Sequence, residues 1–177
     1  MSTIIKSTVT GSKPEKELRE LQTSYNKTSV QSDLEHLEPY GFTSEPFVDG
    51  ATDALNLYFD DERNHGVVLN VADRRYRITD MKEGEVAIYD DKGRKVYLKR
   101  DCIEVDGVSD PINVKTGAQV NITAPTVNIT GNVNITGKVA TSSTISAASD
   151  VSAGGISLQG HTHGGVKPGD GSTGAPR

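Results

Sequence analysis

Val120-Asn121-Ile122-Thr123 returns as Val127-Asn128-Ile129-Thr130 and again as Val133-Asn134-Ile135-Thr136. Ile112-Asn113-Val114-Lys115 is an earlier, imperfect copy. Thr144-Ile145-Ser146, Val151 and Ile156-Ser157-Leu158 carry the theme on in diluted form. Each unit alternates apolar and polar side chains, the period of a strand with one dry face. Gly117, Pro125, Gly131 and Gly137 punctuate the units where the chain must turn. The unit is too short for a single-chain solenoid, whose coils take ~20 or more residues. A lone strand with two or three apolar side chains per unit cannot bury them. Three copies wound about a common axis supply the missing walls, with Val and Ile inside and Asn, Thr and Ser in water. Strands paired between chains also leave few open edges. The expected product is a narrow rod, an intertwined triple-stranded β-helix over residues 101–157. A disordered linker is the competing reading, but such segments are poor in Val and Ile and rich in charge. Here only Lys115 and Lys138 are charged between Pro111 and Ser149. The regular Gly and Pro breaks argue against an amyloid-like strand stack.

Downstream of the rod, residues 158–177 are dominated by Gly and Pro and read as a tip that one copy cannot fold. Within it, His161-Thr162-His163 places two imidazoles on one side of an extended strand, ~6–7 Å apart at Cα. A single chain offers only two such ligands. On a threefold axis the pair becomes six nitrogen donors, a set suited to an octahedral first-row ion such as Fe(II), Ni(II) or Co(II) rather than four-coordinate zinc. Glycines on both sides let three backbones crowd the axis. His36 and His65 have no partner in spacing and read as ordinary surface or core histidines.

Upstream, the chain changes character. All nine aromatic residues, Tyr25 to Tyr97, lie in the first hundred positions. Thr3 to Val9, Ala54 to Phe59 and Gly66 to Val71 read as strands. Glu85–Tyr89 and Lys95–Lys99 flank Asp90-Asp91-Lys92-Gly93-Arg94, a hairpin signal. Lys16–Tyr25 is open between helix and strand. Five or six short strands in about a hundred residues predict a small closed barrel over 1–100. Tyr40 and Phe42, in the turn Glu38-Pro39-Tyr40-Gly41-Phe42, are expected to cap its core, with a docking surface as the alternative.

The formal net charge of −5 argues against a nucleic-acid partner. No stretch approaches the ~20 apolar residues of a membrane helix. Met1–Lys6 shows no basic region followed by an apolar run, so no secretory signal is expected. Cys102 is the only cysteine, which fits synthesis in a reducing cytoplasm.

Barrel, Val/Ile-Asn/Thr rod and terminal Gly-His-Thr-His-Gly-Gly, in that order, resemble the central baseplate spike of contractile-tailed bacteriophages. This is the baseplate assembly protein V group, and the likeness is to its Mu-type spikes. Glu38–Ser44, Leu69–Arg77, Gly84–Asp91, Leu98–Asp101 and Ser152–Val166 carry it. The resemblance implies an all-β chain with an oligonucleotide/oligosaccharide-binding-type barrel, a triple-stranded β-helix and a metal-binding apex. It implies iron, one ion per homotrimer, held by His161 and His163 of each chain. Calcium and chloride at the tip are also implied. Asp170 is the candidate calcium ligand, with a solvated turn aspartate as the alternative.

The function so implied is structural: a cell-puncturing spike at the centre of the virion's tail baseplate. It would dock on baseplate hub and tail tube proteins through the barrel and meet the host outer membrane at the tip. An envelope-degrading hydrolase is the first alternative. A catalytic metal needs an open coordination position, which six histidines do not leave. The chain also has no Gly-x-Ser-x-Gly, His-Glu-x-x-His or phosphate-loop motif. A trimeric surface adhesin is the second alternative, and no aromatic sugar-binding tip supports it. The expectation is that the protein is not an enzyme.

Overall fold

The computed structural model describes every residue except Met1, Lys16, Lys27, His163, 166–168 and 170–177. Every helix or strand among the described residues is a strand, so the chain is all-β. Five strands, β1 (Thr3–Lys13), β2 (Glu20–Asn26), β3 (Ser29–His36), β4 (Asp53–Tyr58) and β5 (Gly66–Ala72), close a barrel in the order β1-β2-β3-β5-β4. All neighbours are antiparallel except β3 and β5, which meet in parallel through Glu35↔Val67 and His36↔Val68. The ambiguous stretch thus resolves as strand rather than helix from Glu20 onward. Its Leu21 and Thr23 point inward at the two-residue period.

Val9, Leu21, Leu34, Ala54, Tyr58 and Val68 fill the barrel, with Ile5 and Val71 packed against them. On β4 the inward set is Ala54, Asn56 and Tyr58, while Leu55 and Leu57 face outward. Asn56 is fully buried. Its Nδ2 donates to Thr23 Oγ1 at 2.7 Å and to Tyr58 Oη at 3.0 Å. Burial without such bonds would cost a few kcal/mol, about 1–3 per unsatisfied group. At the start of β5, Gly66 leaves no room for a side chain. A Cβ there would stand 2.6 Å from the Tyr58 ring and 2.7 Å from the Leu57 carbonyl oxygen.

The loop from Leu37 to Thr52 is tied down by charge. Glu38 accepts the Ser44 N–H at 2.8 Å and the Thr43 hydroxyl at 2.9 Å. Arg19 donates to Thr43 Oγ1 and the Ser44 carbonyl, and pairs with Glu45 at 2.9 Å. These bonds hold Tyr40 and Phe42 out in solvent. Neither ring caps the core, contrary to the expectation from sequence, because the loop's fixed points are polar rather than apolar. Where the barrel ends, Arg75 joins Asp49 at 2.7 Å and Asp73 at 2.9 Å, and lies over the Phe47 and Tyr76 rings. The Arg75 guanidinium holds the Asp73 carboxyl at about 2.

The expected hairpin forms β6 (Val86–Tyr89) and β7 (Lys95–Leu98), but it lies outside the barrel. It joins β8 (Ile103–Asp106) in a separate three-stranded sheet of order β6-β7-β8. Asp90 closes its turn by accepting the N–H groups of Lys92 and Arg94, each at 3.0 Å, and Gly93 supplies a φ of 82°. The chain divides into two units, Met1–Ala118 and Gln119–Arg177. In the second, 119–151 carries no strand pairing of its own, and its Val and Ile side chains are exposed, Ile122 to 72%. A short hairpin follows: β9 (Ser152–Ala153) and β10 (Ile156–Ser157).

Candidate metal centre at the tip

The β9–β10 hairpin is the platform on which His161 stands. Ile156 pairs with Ala153 and Ser157 with Ser152, leaving Gly154 and Gly155 as a two-residue loop. Both take positive φ, 58° and 80°, as a type I′ turn requires and as glycine allows without strain. The Leu158 N–H extends the ladder to the Val151 carbonyl at 2.8 Å.

Asp150 fastens the base of this platform. The Ser157 hydroxyl and the backbone N–H of Gln159, the latter at 3.1 Å, hold its carboxyl below the usual carboxylate range. Ser157 also turns the chain: its Oγ accepts the Gly160 N–H at 2.8 Å, and its carbonyl accepts the His161 N–H at 3.2 Å.

The His161 ring is oriented by the same turn. Its Nδ1 lies 2.9 Å from the Ser157 carbonyl oxygen and 3.2 Å from that of Leu158. Both oxygens only accept, so Nδ1 carries the proton. In the neutral ring the lone pair then sits on Nε2, the arrangement found when a backbone carbonyl orients a metal-binding imidazole. The donor chemistry of His161 therefore fits a first-row ion.

His163 and Asp170 lie outside the described residues. Among the described residues, no group of three or more His, Cys, Asp or Glu side chains could hold a metal ion. His36 is buried in the barrel, and the His65 ring is tilted against that of Phe59 with centroids 5.1 Å apart. The sequence reading missed Asp150 and Ser157. Their signal was the Gly154-Gly155 pair between two short alternating runs, which marks a hairpin and so brings 150–152 beside 157–159.

Comparison with known proteins follows the same division of the chain. Residues 7–75 match the family model described as Bacteriophage Mu Gp45, N-terminal, and residues 155–177 match the GpV Apex motif. A curated relative, the baseplate puncturing device gp45 of Escherichia phage Mu, is 29% identical over 119 residues, covering 66% of this chain. The chain spans 58% of that relative's length. From its barrel to its tip, the chain resembles the baseplate spike of a contractile-tailed phage of the Mu type.

Proposed function

We propose that the chain is one third of a trimeric spike at the centre of a phage tail baseplate, driven through the host outer membrane when the tail contracts. The observation that carries this reading is the exposed apolar series Val120, Ile122, Val127, Ile129, Val133 and Ile135, on a segment with no strand partner in its own chain. Each such side chain gains about 1.5–3 kcal/mol on full burial. Two further copies about a threefold axis offer that burial, and the alternation sends Asn and Thr outward. The segment then forms a triple-stranded β-helix between the barrel and the tip. The closed barrel order β1-β2-β3-β5-β4 supports reading it as an oligonucleotide/oligosaccharide-binding-type barrel. In this reading it is used for docking on hub and tail tube proteins, not on nucleic acid.

At the apex, His161 and His163 of three chains would hold one iron ion. The bound ion supplies cross-linking between chains. The residues' own part is to fix ring orientation, through Ser157 and Asp150, and to close the coordination sphere. Six imidazoles would leave no open position for a substrate, so in this reading the spike's role is mechanical rather than enzymatic. Asp170 would serve a calcium ion near the same axis, with chloride a further occupant. The test is sedimentation equilibrium together with elemental analysis. A mass of three chains with about one iron per three chains supports the reading. A folded monomer, or trimers without transition metal, would refute the rod or the apex respectively.

A further inference from the structure

Among the described residues, His36 is the buried side chain that titrates near neutral pH. It is 5% exposed, and its Nδ1 has no hydrogen-bond partner. It ends β3 at the seam where the barrel closes. There its backbone N–H donates to the Arg19 carbonyl at 2.8 Å, while the Leu37 N–H reaches the Val68 carbonyl at 3.4 Å. Two charged groups act on the ring, the Glu38 carboxylate and the Arg19 guanidinium. The register partners on β5, Val67 and Val68, add none. Glu35 and Glu20 pair one position back, which puts them on the opposite face of the strands.

The same two charged groups hold the loop that follows. Arg19 donates to Thr43 and Ser44 and pairs with Glu45, while Glu38 accepts from Thr43 and Ser44. Between these ties the chain makes a turn, with the Phe42 N–H on the Pro39 carbonyl at 3.0 Å and Gly41 at a φ of 84°. Tyr40 and Phe42 stand on that turn with their rings in water. Arg19 Nε lies 3.8 Å from Glu38 Oε2, too far for a hydrogen bond, and that buried nitrogen has no other acceptor. The neutral imidazole therefore sits beside a cation that is only partly satisfied. The nearest carboxylate is two residues along its own chain.

We propose that His36 is an acid-operated latch on the 37–52 loop: protonation of the ring draws Glu38 away from Thr43 and Ser44 and frees the turn that carries Tyr40 and Phe42. A second positive charge beside Arg19 has no anion of its own in the seam. Glu38, at i+2 on an extended chain, is on the side to supply one. Its move compensates the imidazolium at the expense of the loop. Burial, helped by Arg19 and opposed by Glu38, keeps the ring neutral while the loop is held. The held loop thus binds the proton less well than the freed one, and acid shifts the population toward the freed one. The residues that fill the barrel include neither Arg19 nor Glu38, so the barrel stays closed through the change. The device sets, by pH, whether two solvent-facing aromatic rings are held in one place.

Hydrogen exchange in the full chain, from about pH 7.5 to about pH 4.5 and corrected for intrinsic rates, reads the latch directly. The Phe42 and Ser44 amides are expected to lose at least ~10-fold in protection as the pH falls, while the amides of β4 keep theirs. A Tyr40→Trp variant adds a single indole to a chain that has none, and its anisotropy should fall over the same interval. His36→Gln, which cannot charge, and Glu38→Gln, which leaves no carboxylate to recruit, should each show no acid step. A parent protein whose loop amides stay protected overturns the latch. A step that persists in His36→Gln assigns it to other groups and also overturns it. Should that variant fail to fold, a step that persists in Glu38→Gln does the same. Loss of protection in β4 together with the loop would mean that acid opens the whole barrel, and the latch falls.

Discussion

The His161 Nδ1 atom lies 2.9 Å from the carbonyl oxygen of Ser157, four residues back on the last strand of the tip hairpin. A backbone acceptor thus sets the ring's tautomer and its direction before any ion arrives. Ser157 is itself held by Asp150 and the hairpin, so the His161 ring is tied to paired backbone.

Replacing His161 and His163 by Ala should remove the metal. Iron should fall from about one per three chains to background, and the tip beyond Gln159 should become protease-sensitive, because ion binding there is coupled to ordering. The rod should keep its trimer mass. Elemental analysis and limited proteolysis on the same sample decide it. Retained iron would mean that other residues ligate it.

Ile129→Asp should abolish the trimer. It would set three carboxylates around the axis, and each buried ion without a partner costs several kcal/mol. The expected result is a monomeric or aggregated chain by light scattering, with the barrel still folded. Unchanged trimer mass and melting would place Ile129 outside the interface.

Gly66→Ala should destabilise the barrel by about 1–3 kcal/mol, the usual range for overpacking. The added methyl meets the Tyr58 ring at 2.6 Å and the Leu57 carbonyl at 2.7 Å. Thermal unfolding followed by tyrosine fluorescence should show a lower barrel Tm, with rod and iron content unaltered.

His36 predicts a pH dependence. Burial pushes its imidazole below the usual value of 6.5, helped by the Arg19 guanidinium and opposed by Glu38. The folded barrel therefore prefers the neutral ring, while the unfolded chain takes up a proton below 6.5. This contribution to stability is full above that pH and is lost as the pH falls through the depressed native value. A His36→Gln variant should lose less stability than the parent between neutral pH and about pH 5. Equal slopes in parallel denaturant titrations would exclude His36 as the group responsible.

The strands at Thr3, Ala54, Gly66, Glu85 and Lys95 were legible because β-branched runs and turn residues bound them. β3 was not. In Ser29–His36 only Leu34 and His36 are buried, and Asp33 breaks the extended backbone with a φ of 62°. β8 alternates cleanly, yet alternation says nothing of which strand lies next, so its pairing with β7 has no local mark. The placement of Tyr40 and Phe42 depends on Arg19, some twenty residues away, a tertiary tie with no local mark. At the tip, the histidines stand out by spacing, whereas Asp150 acts through a hairpin that must first be recognised.

β4 shows a different kind of control. Its leucines, Leu55 and Leu57, face out, and its asparagine faces in. Sliding the strand by one residue would turn Ala54, Asn56 and Tyr58 outward together and bring Leu55 and Leu57 inside. It would leave the buried Thr23 hydroxyl on β2 without the Asn56 amide and take the Tyr58 ring out of the core. The Asn56 bonds and the Tyr58 ring therefore act together as a proofreader: both are satisfied in one alignment of β4 and both are lost in the next. The ring closes on itself through the short parallel join of Glu35 and His36 with Val67 and Val68, so the alignment of β4 on β5 bears on the closure of the whole barrel.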